Sequence, residues 1–194
     1  MAEAVKLVKG ENINLTKDAP GLKKVHVGLS WDANGITAPT ADVDAMCYLL
    51  GANGKVRSDP DFVFYRNLKS ADGSVEHTGD NLTGDGDGDD EVIKVDLAAL
   101  SADVEKVVFL IDIFDAATKG QNFGQIKNAA VRLVDADTNQ EIVRYDLSED
   151  YSAATDVTVC ELYRNNGDWK FKAVGQGDTK GAAGHAREFG VSVA

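Results

Sequence analysis

Between Asp80 and Glu91 the chain reads DNLTGDGDGDDE, six carboxylates in twelve residues separated by glycines. Carboxylates packed this closely repel one another, and a hard divalent cation is the natural counter-charge. Ca²⁺ takes about six to eight oxygen ligands from carboxylates, carbonyls and water. The intervening glycines let the backbone turn sharply and aim main-chain carbonyls at an ion. More carboxylates lie upstream: Asp32 follows an apolar run, and Asp42 and Asp44 flank Val43. On a strand the last two share a face, because side chains repeat every second residue.

An EF-hand accounts for only part of this pattern. Counting from Asp85, the first, third and fifth loop positions are Asp85, Asp87 and Asp89, as that motif requires. The sixth position is Asp90 where glycine belongs, the twelfth is Asp96 where glutamate belongs, and the flanks read as strands. The site must therefore be built from loops on a β scaffold. The donors are all oxygen, which selects Ca²⁺ or Mg²⁺ over zinc or copper. Their number and the flexible glycines favour Ca²⁺, and this many carboxylates can serve two ions. The bland alternative is a solvated acidic face; the regular Gly–Asp alternation from Gly84 to Gly88 argues against it.

The elements that would position these residues are strands. Val25, Val27, Leu29 and Trp31 alternate with Lys24, His26, Gly28 and Ser30, the pattern of a half-buried strand. Further strands are predicted at Val43–Leu50, Phe62–Tyr65, around Val92, Val95 and Leu97, at Val107–Phe114, Ala130–Val134, Glu141–Tyr145, Val157–Tyr163 and Trp169–Val174. Asn165–Asp168 reads as a hairpin turn. Short helices are predicted at Leu97–Val104, Asp150–Thr155 and Ala182–Phe189, with Gly175–Gly184 as a solvated link into the last. The expectation is an all-β antiparallel β-sandwich with a few short helices, forming a single domain over 1–194.

Composition narrows the function. Net charge is −12, half of it in the segment from Asp80 to Glu91, and no basic stripe is visible. That excludes nucleic acid bound through its phosphates and attachment to an anionic membrane. No apolar run is long enough to insert into a bilayer or to act as a signal peptide, so the expected location is cytoplasmic. Cys47 and Cys160 sit in apolar stretches and read as buried free thiols. His26, His77 and His185 are scattered and read first as ordinary surface or core histidines; support of the ligands from behind is the alternative for His77, three residues before Asp80. No GxSxG elbow and no GxxxxGK[ST] loop occurs.

Several stretches together resemble the TerD-type tellurium-resistance and general stress proteins. They are GDNLTGDGDGDDE at Gly79–Glu91, GLSWD at Gly28–Asp32, DVDA at Asp42–Ala45, and SDPDFVFYRNLKSADGSVEHTGDN from Ser58 to Asn81. QNFGQIKNAAVRLVD from Gln121, RYDLSEDYS from Arg144 and ELYRNNGDWKFKAVGQG from Glu161 continue the match. The resemblance implies a β-sandwich that binds two Ca²⁺ ions in loops at one end. It also implies a stress-response role tied to tellurite resistance, no enzymatic activity, and protein partners from the same resistance system, a membrane component among them. Carried over by position, the metal ligands are Asp80, Asn81, Asp85, Asp87, Asp89, Asp90 and Glu91, completed by Asp32, Asp42 and Asp44; Asp115 ranks behind them. Phe114 stands where relatives often have histidine, and Leu82 where they often have a basic residue. The competing readings are a metal-dependent hydrolase using the same carboxylates and direct tellurite chemistry at a thiol.

Overall fold

Val25, Val27, Leu29 and Trp31 all point inward and are buried, because strand β3 (Lys24–Ala33) forms the middle of one face of a sandwich. The computed structural model describes residues 3–33, 41–79 and 88–192. Alongside β3 lie β1 (Val5–Leu7), β6 (Val75–His77), β7 (Glu91–Asp96), β9 (Ile126–Asp135) and β10 (Glu141–Asp146). They form a first sheet in the order β1-β10-β9-β3-β7-β6. The second sheet runs β2-β12-β11-β8-β4-β5, from β2 (Asn12–Asn14), β4 (Val43–Leu50), β5 (Phe62–Val63), β8 (Lys106–Ile113), β11 (Asp156–Asn165) and β12 (Asp168–Asp178). Among the described residues every pairing is antiparallel except β1 with β10. The antiparallel sandwich is as expected.

β4 and β8 read as continuous apolar runs because both their faces are covered. Val43, Ala45, Cys47 and Leu49 face the inter-sheet core. Met46, Tyr48 and Leu50 face outward with Val108 and Leu110, under the helix Gly181–Glu188. Tyr48 stacks on Phe62 at 4.4 Å between ring centroids, Phe62 stacks on Phe64 at 4.2 Å, and Phe189 leans on Tyr48 at 4.8 Å. Offset aromatic pairs of this kind add to the stability from buried area alone.

The Asn165–Asp168 hairpin is confirmed: Asn166 and Gly167 both take positive φ, 52° and 82°, the two-residue turn that matches strand twist. Three local expectations need correction. Leu97–Val104 is a series of turns rather than a helix. Asp96 Oδ1 accepts from the Ala98 and Ala99 amides, and the Arg164 guanidinium donates to the carbonyls of Leu100, Ser101 and Val104. Those bonds satisfy the backbone that a helix would have satisfied internally. Asp150–Thr155 is also turn, and β12 continues to Asp178, taking up much of the expected Gly175–Gly184 link.

Candidate metal centre

One end of the sandwich gathers the C-terminus of β3, the starts of β4, β7 and β11, and the ends of β8 and β12. Six of the ten predicted ligands, Asp32, Asp42, Asp44, Asp89, Asp90 and Glu91, lie there; Asp80, Asn81, Asp85 and Asp87 fall outside the described residues. The six do not share one surface. Asp32 is on the outer face of the first sheet, where Asn128 Nδ2 donates to its Oδ2 at 2.6 Å. Asp89 lies over the outer face of β3 at Gly28, where an added Cβ would overlap its carboxylate. Arg132 Nε donates to Asp89 Oδ1 at 2.6 Å and its Nη1 lies 3.5 Å from Glu141, and the two carboxylates raise the guanidinium pKa. Asp90 is clipped to β3: its amide donates to Leu29 O at 2.8 Å, and its Oδ2 accepts from the Trp31 amide at 2.7 Å.

Glu91 turns inward between the sheets and is 2% exposed. Its Oε2 accepts from the Ala45 amide at 2.7 Å and lies 3.1 Å from His77 Nε2. His77 Nε2 is also 3.2 Å from Ala45 O, while the Gly79 amide donates to His77 Nδ1 at 3.0 Å. Because Nδ1 accepts, the ring proton sits on Nε2, facing two acceptors. β5 pairs only Cys47 and Tyr48 of β4. The edge of β4 at Ala45 thus finds its partners in two side chains from the opposite sheet.

Asp44 lies on the outer face of the second sheet, 5% exposed, in register with Asp112 of β8, which is in register with Asp156 of β11. His185 Nε2 and Asp156 Oδ1 are 2.6 Å apart, and the Gly181 amide donates to Asp156 Oδ2 at 2.8 Å. Burial, and then the Asp156 charge, push the Asp112 carboxyl up to about 7. A cavity of about 600 Å³ opens beside it, walled by Phe64, Tyr65 and Phe114 with Asp44 and Asp112 in its lining. Sequence alone could not find this group: Asp112 sits inside an apolar run, and its carboxylate neighbour is 44 residues away in Asp156 (156 against 112). Asp115 is exposed, with φ of 57° just before a one-turn helix at Ala116–Lys119.

Among the described residues no three His, Cys, Asp or Glu side chains converge tightly enough to hold a metal ion. What the predicted ligands among the described residues offer is oxygen donors at one end of the fold, the kind a hard cation takes. Cys47 and Cys160 are buried free thiols whose pKa values burial drives far upward, the opposite of what a reactive thiolate needs.

The TerD domain model matches residues 3–189. The chain belongs to the TerD family. Tellurium resistance protein TerD of Alcaligenes sp is 52% identical over 189 residues, covering 97% of this chain and 98% of that one. General stress protein 16U of Bacillus subtilis (strain 168) is 50% identical over 190 residues, covering 97% and 98%. In fold the chain is similar to a crystal structure of a telluride resistance protein (TerD) homologue from Streptomyces coelicolor A3(2). The TM-score is 0.71 at 23% identity, over 89% of this chain and all of that one. The family is one of tellurium-resistance and stress-response proteins. Among the described residues no helix is long and apolar enough to cross a membrane.

Proposed function

We propose that this TerD-family chain is a non-enzymatic, cytoplasmic Ca²⁺-binding stress protein that holds two ions at the acidic end of its sandwich. The proposed ligands are Asp32, Asp42, Asp44, Asp89, Asp90 and Glu91, together with Asp80, Asn81, Asp85 and Asp87. The observation that carries the reading is the gathering of all six described members of that set at one end of the fold, oxygen donors throughout. Ion binding there would neutralise mutual repulsion and fix the loops as a surface for protein partners of the same resistance system, a membrane component among them. Calorimetric titration of Ca²⁺ into the metal-stripped protein tests it. Two sites with sub-millimolar affinity are expected, and absence of binding heat at any accessible concentration overturns it. The folded state should also gain about 2.7 kcal/mol at a hundredfold excess over Kd, raising Tm by about 5 to 10 °C, reversibly with EDTA.

One observation favours the second reading, a metal-dependent hydrolase. Asp112 is a carboxyl tuned toward neutrality beside a cavity, the property a general base requires. Turnover of generic phosphoesters with Mg²⁺ or Mn²⁺, lost in Asp112→Asn, would support it; no turnover retires it.

A further inference from the structure

In sequence the acidic segment lies between β6, which ends at His77, and β7, which begins at Glu91, and described residues on its two sides meet at one side chain. His77 accepts the Gly79 amide on Nδ1 and faces Glu91 Oε2 with Nε2. The same Nε2 approaches Ala45 O, and Glu91 accepts the Ala45 amide. Ala45 is the residue after Asp44 and lies three residues after Asp42. Three chain segments that carry proposed ligands are thereby fastened to one imidazole. His77 and Glu91 are 2% exposed, and their neighbours in the inter-sheet core include Ile93 and Val75. A polar trio set in an apolar core is costly unless every bond is made. The arrangement is consequently held in one geometry.

We infer that His77 is a positioning residue for the cation site, a buried clamp that fixes where the acidic segment begins and ends relative to β4. The inference rests on the calcium reading and deepens it. His77 touches no ion; it acts through the Gly79 backbone, Glu91 and Ala45. Partners that orient metal ligands from behind typically change metal affinity by about 10- to 100-fold when removed. Coupling of this kind is reciprocal: whatever factor the clamp adds to ion affinity, the ion adds to the clamp.

The test pairs three variants with one measurement on the unaltered protein. His77→Gln keeps a donor toward Glu91 and Ala45 O but offers nothing to Gly79; His77→Asn keeps an acceptor for Gly79 but does not reach Glu91; His77→Phe removes both. Ca²⁺ titration should show affinity about 10- to 100-fold weaker for the Phe variant, with the Gln and Asn variants between it and the parent. Urea unfolding with EDTA measures the purely structural cost, which would leave Kd unchanged. In the parent protein the Gly79 amide should exchange at least about tenfold more slowly with Ca²⁺ than without, whether or not the Phe variant folds. Parent-like affinity in the Gln and Asn variants, or a Gly79 exchange rate indifferent to Ca²⁺, overturns the clamp while leaving the calcium reading intact. A parent protein that binds no Ca²⁺ overturns both.

Discussion

Asp112 should make this fold more stable in mild acid than in mild base, and Asp112→Asn should remove that dependence. The carboxyl is 9% exposed, lies between Asp44 and Asp156 in adjacent strands, and is raised from 3.8 to about 7 by burial and by the Asp156 charge. The Ala182 amide and His185 pull the other way, each favouring the charged form, and do not prevail. An unfolded chain releases this proton near pH 4, whereas the folded chain keeps it to about pH 7. Between those values the native state binds more protons than the unfolded state. The contribution is therefore whole below pH 4 and falls as pH rises through 7, with a slope approaching about 1.4 kcal/mol per pH unit. A shift of about three units gives a ceiling of about 4 kcal/mol.

Asparagine mimics the protonated acid: it keeps an acceptor for Ala182 and places an amide donor where Asp156 repels a charge. Asp112→Asn should match the parent within about 1 kcal/mol at pH 4.5 and exceed it by about 2 to 4 kcal/mol at pH 8. Urea unfolding followed by fluorescence of Trp31 and Trp169, from pH 4.5 to 8 with EDTA, gives the difference directly. Other carboxylates whose pKa values are lowered, among them Asp72, Asp135 and Asp178, act below pH 4 and cancel in the comparison. A difference that does not change with pH, or an asparagine variant less stable at pH 8, refutes the reasoning.

Two further substitutions probe the frame. Asp61 is fully buried and holds Arg57 through two bonds, Nε to Oδ2 at 2.7 Å and Nη2 to Oδ1 at 3.0 Å. Asp61→Ala should cost about 3 kcal/mol in urea unfolding, near the low end for a broken buried pair because Arg57 reaches solvent and keeps Asp72; a loss below about 1 kcal/mol would show the pair to be dispensable. Gly28→Ala would drive the Asp89 carboxylate off Arg132 and should cost about 1 to 3 kcal/mol. In an Asp89→Ala background the same change should cost almost nothing, and equal costs in both backgrounds would disprove the clash.

Strands were legible wherever burial differs between faces or covers both. Val25 to Trp31 shows the first case, and Val43–Leu50, whose bounds the structure reproduces, shows the second. β1, β2 and β6 were not legible, being three residues long with polar positions that give no period to detect. Leu97, Leu100 and Val104 are buried at spacings a helix would also produce. Only the distant Arg164 reveals that turns win. At the site, the acidic segment announces its chemistry because its donors are neighbours in sequence. The His77–Glu91–Ala45 clamp and the Asp44–Asp112–Asp156 row are products of sheet register, which no local pattern carries.

Register also bears on how many ions the acidic end can hold. Asp32 and Asp89 belong to the outer face of the first sheet, Glu91 to the interior, and Asp44 to the outer face of the second. Packed sheets lie about 10 Å apart, while Ca²⁺ ligands sit within about 2.6 Å of the ion. No single ion can draw on carboxylates from both outer faces. Arg132 and Asn128 already answer part of the charge on the first face, and on the second Lys180 pairs with Asp178 and Glu188. The carboxylates thus fall into separate groups on the two faces. A two-ion stoichiometry follows from that partition if both faces contribute ligands. A one-ion stoichiometry would instead assign the ion to one face, and Asp44→Asn against Asp89→Asn would tell which.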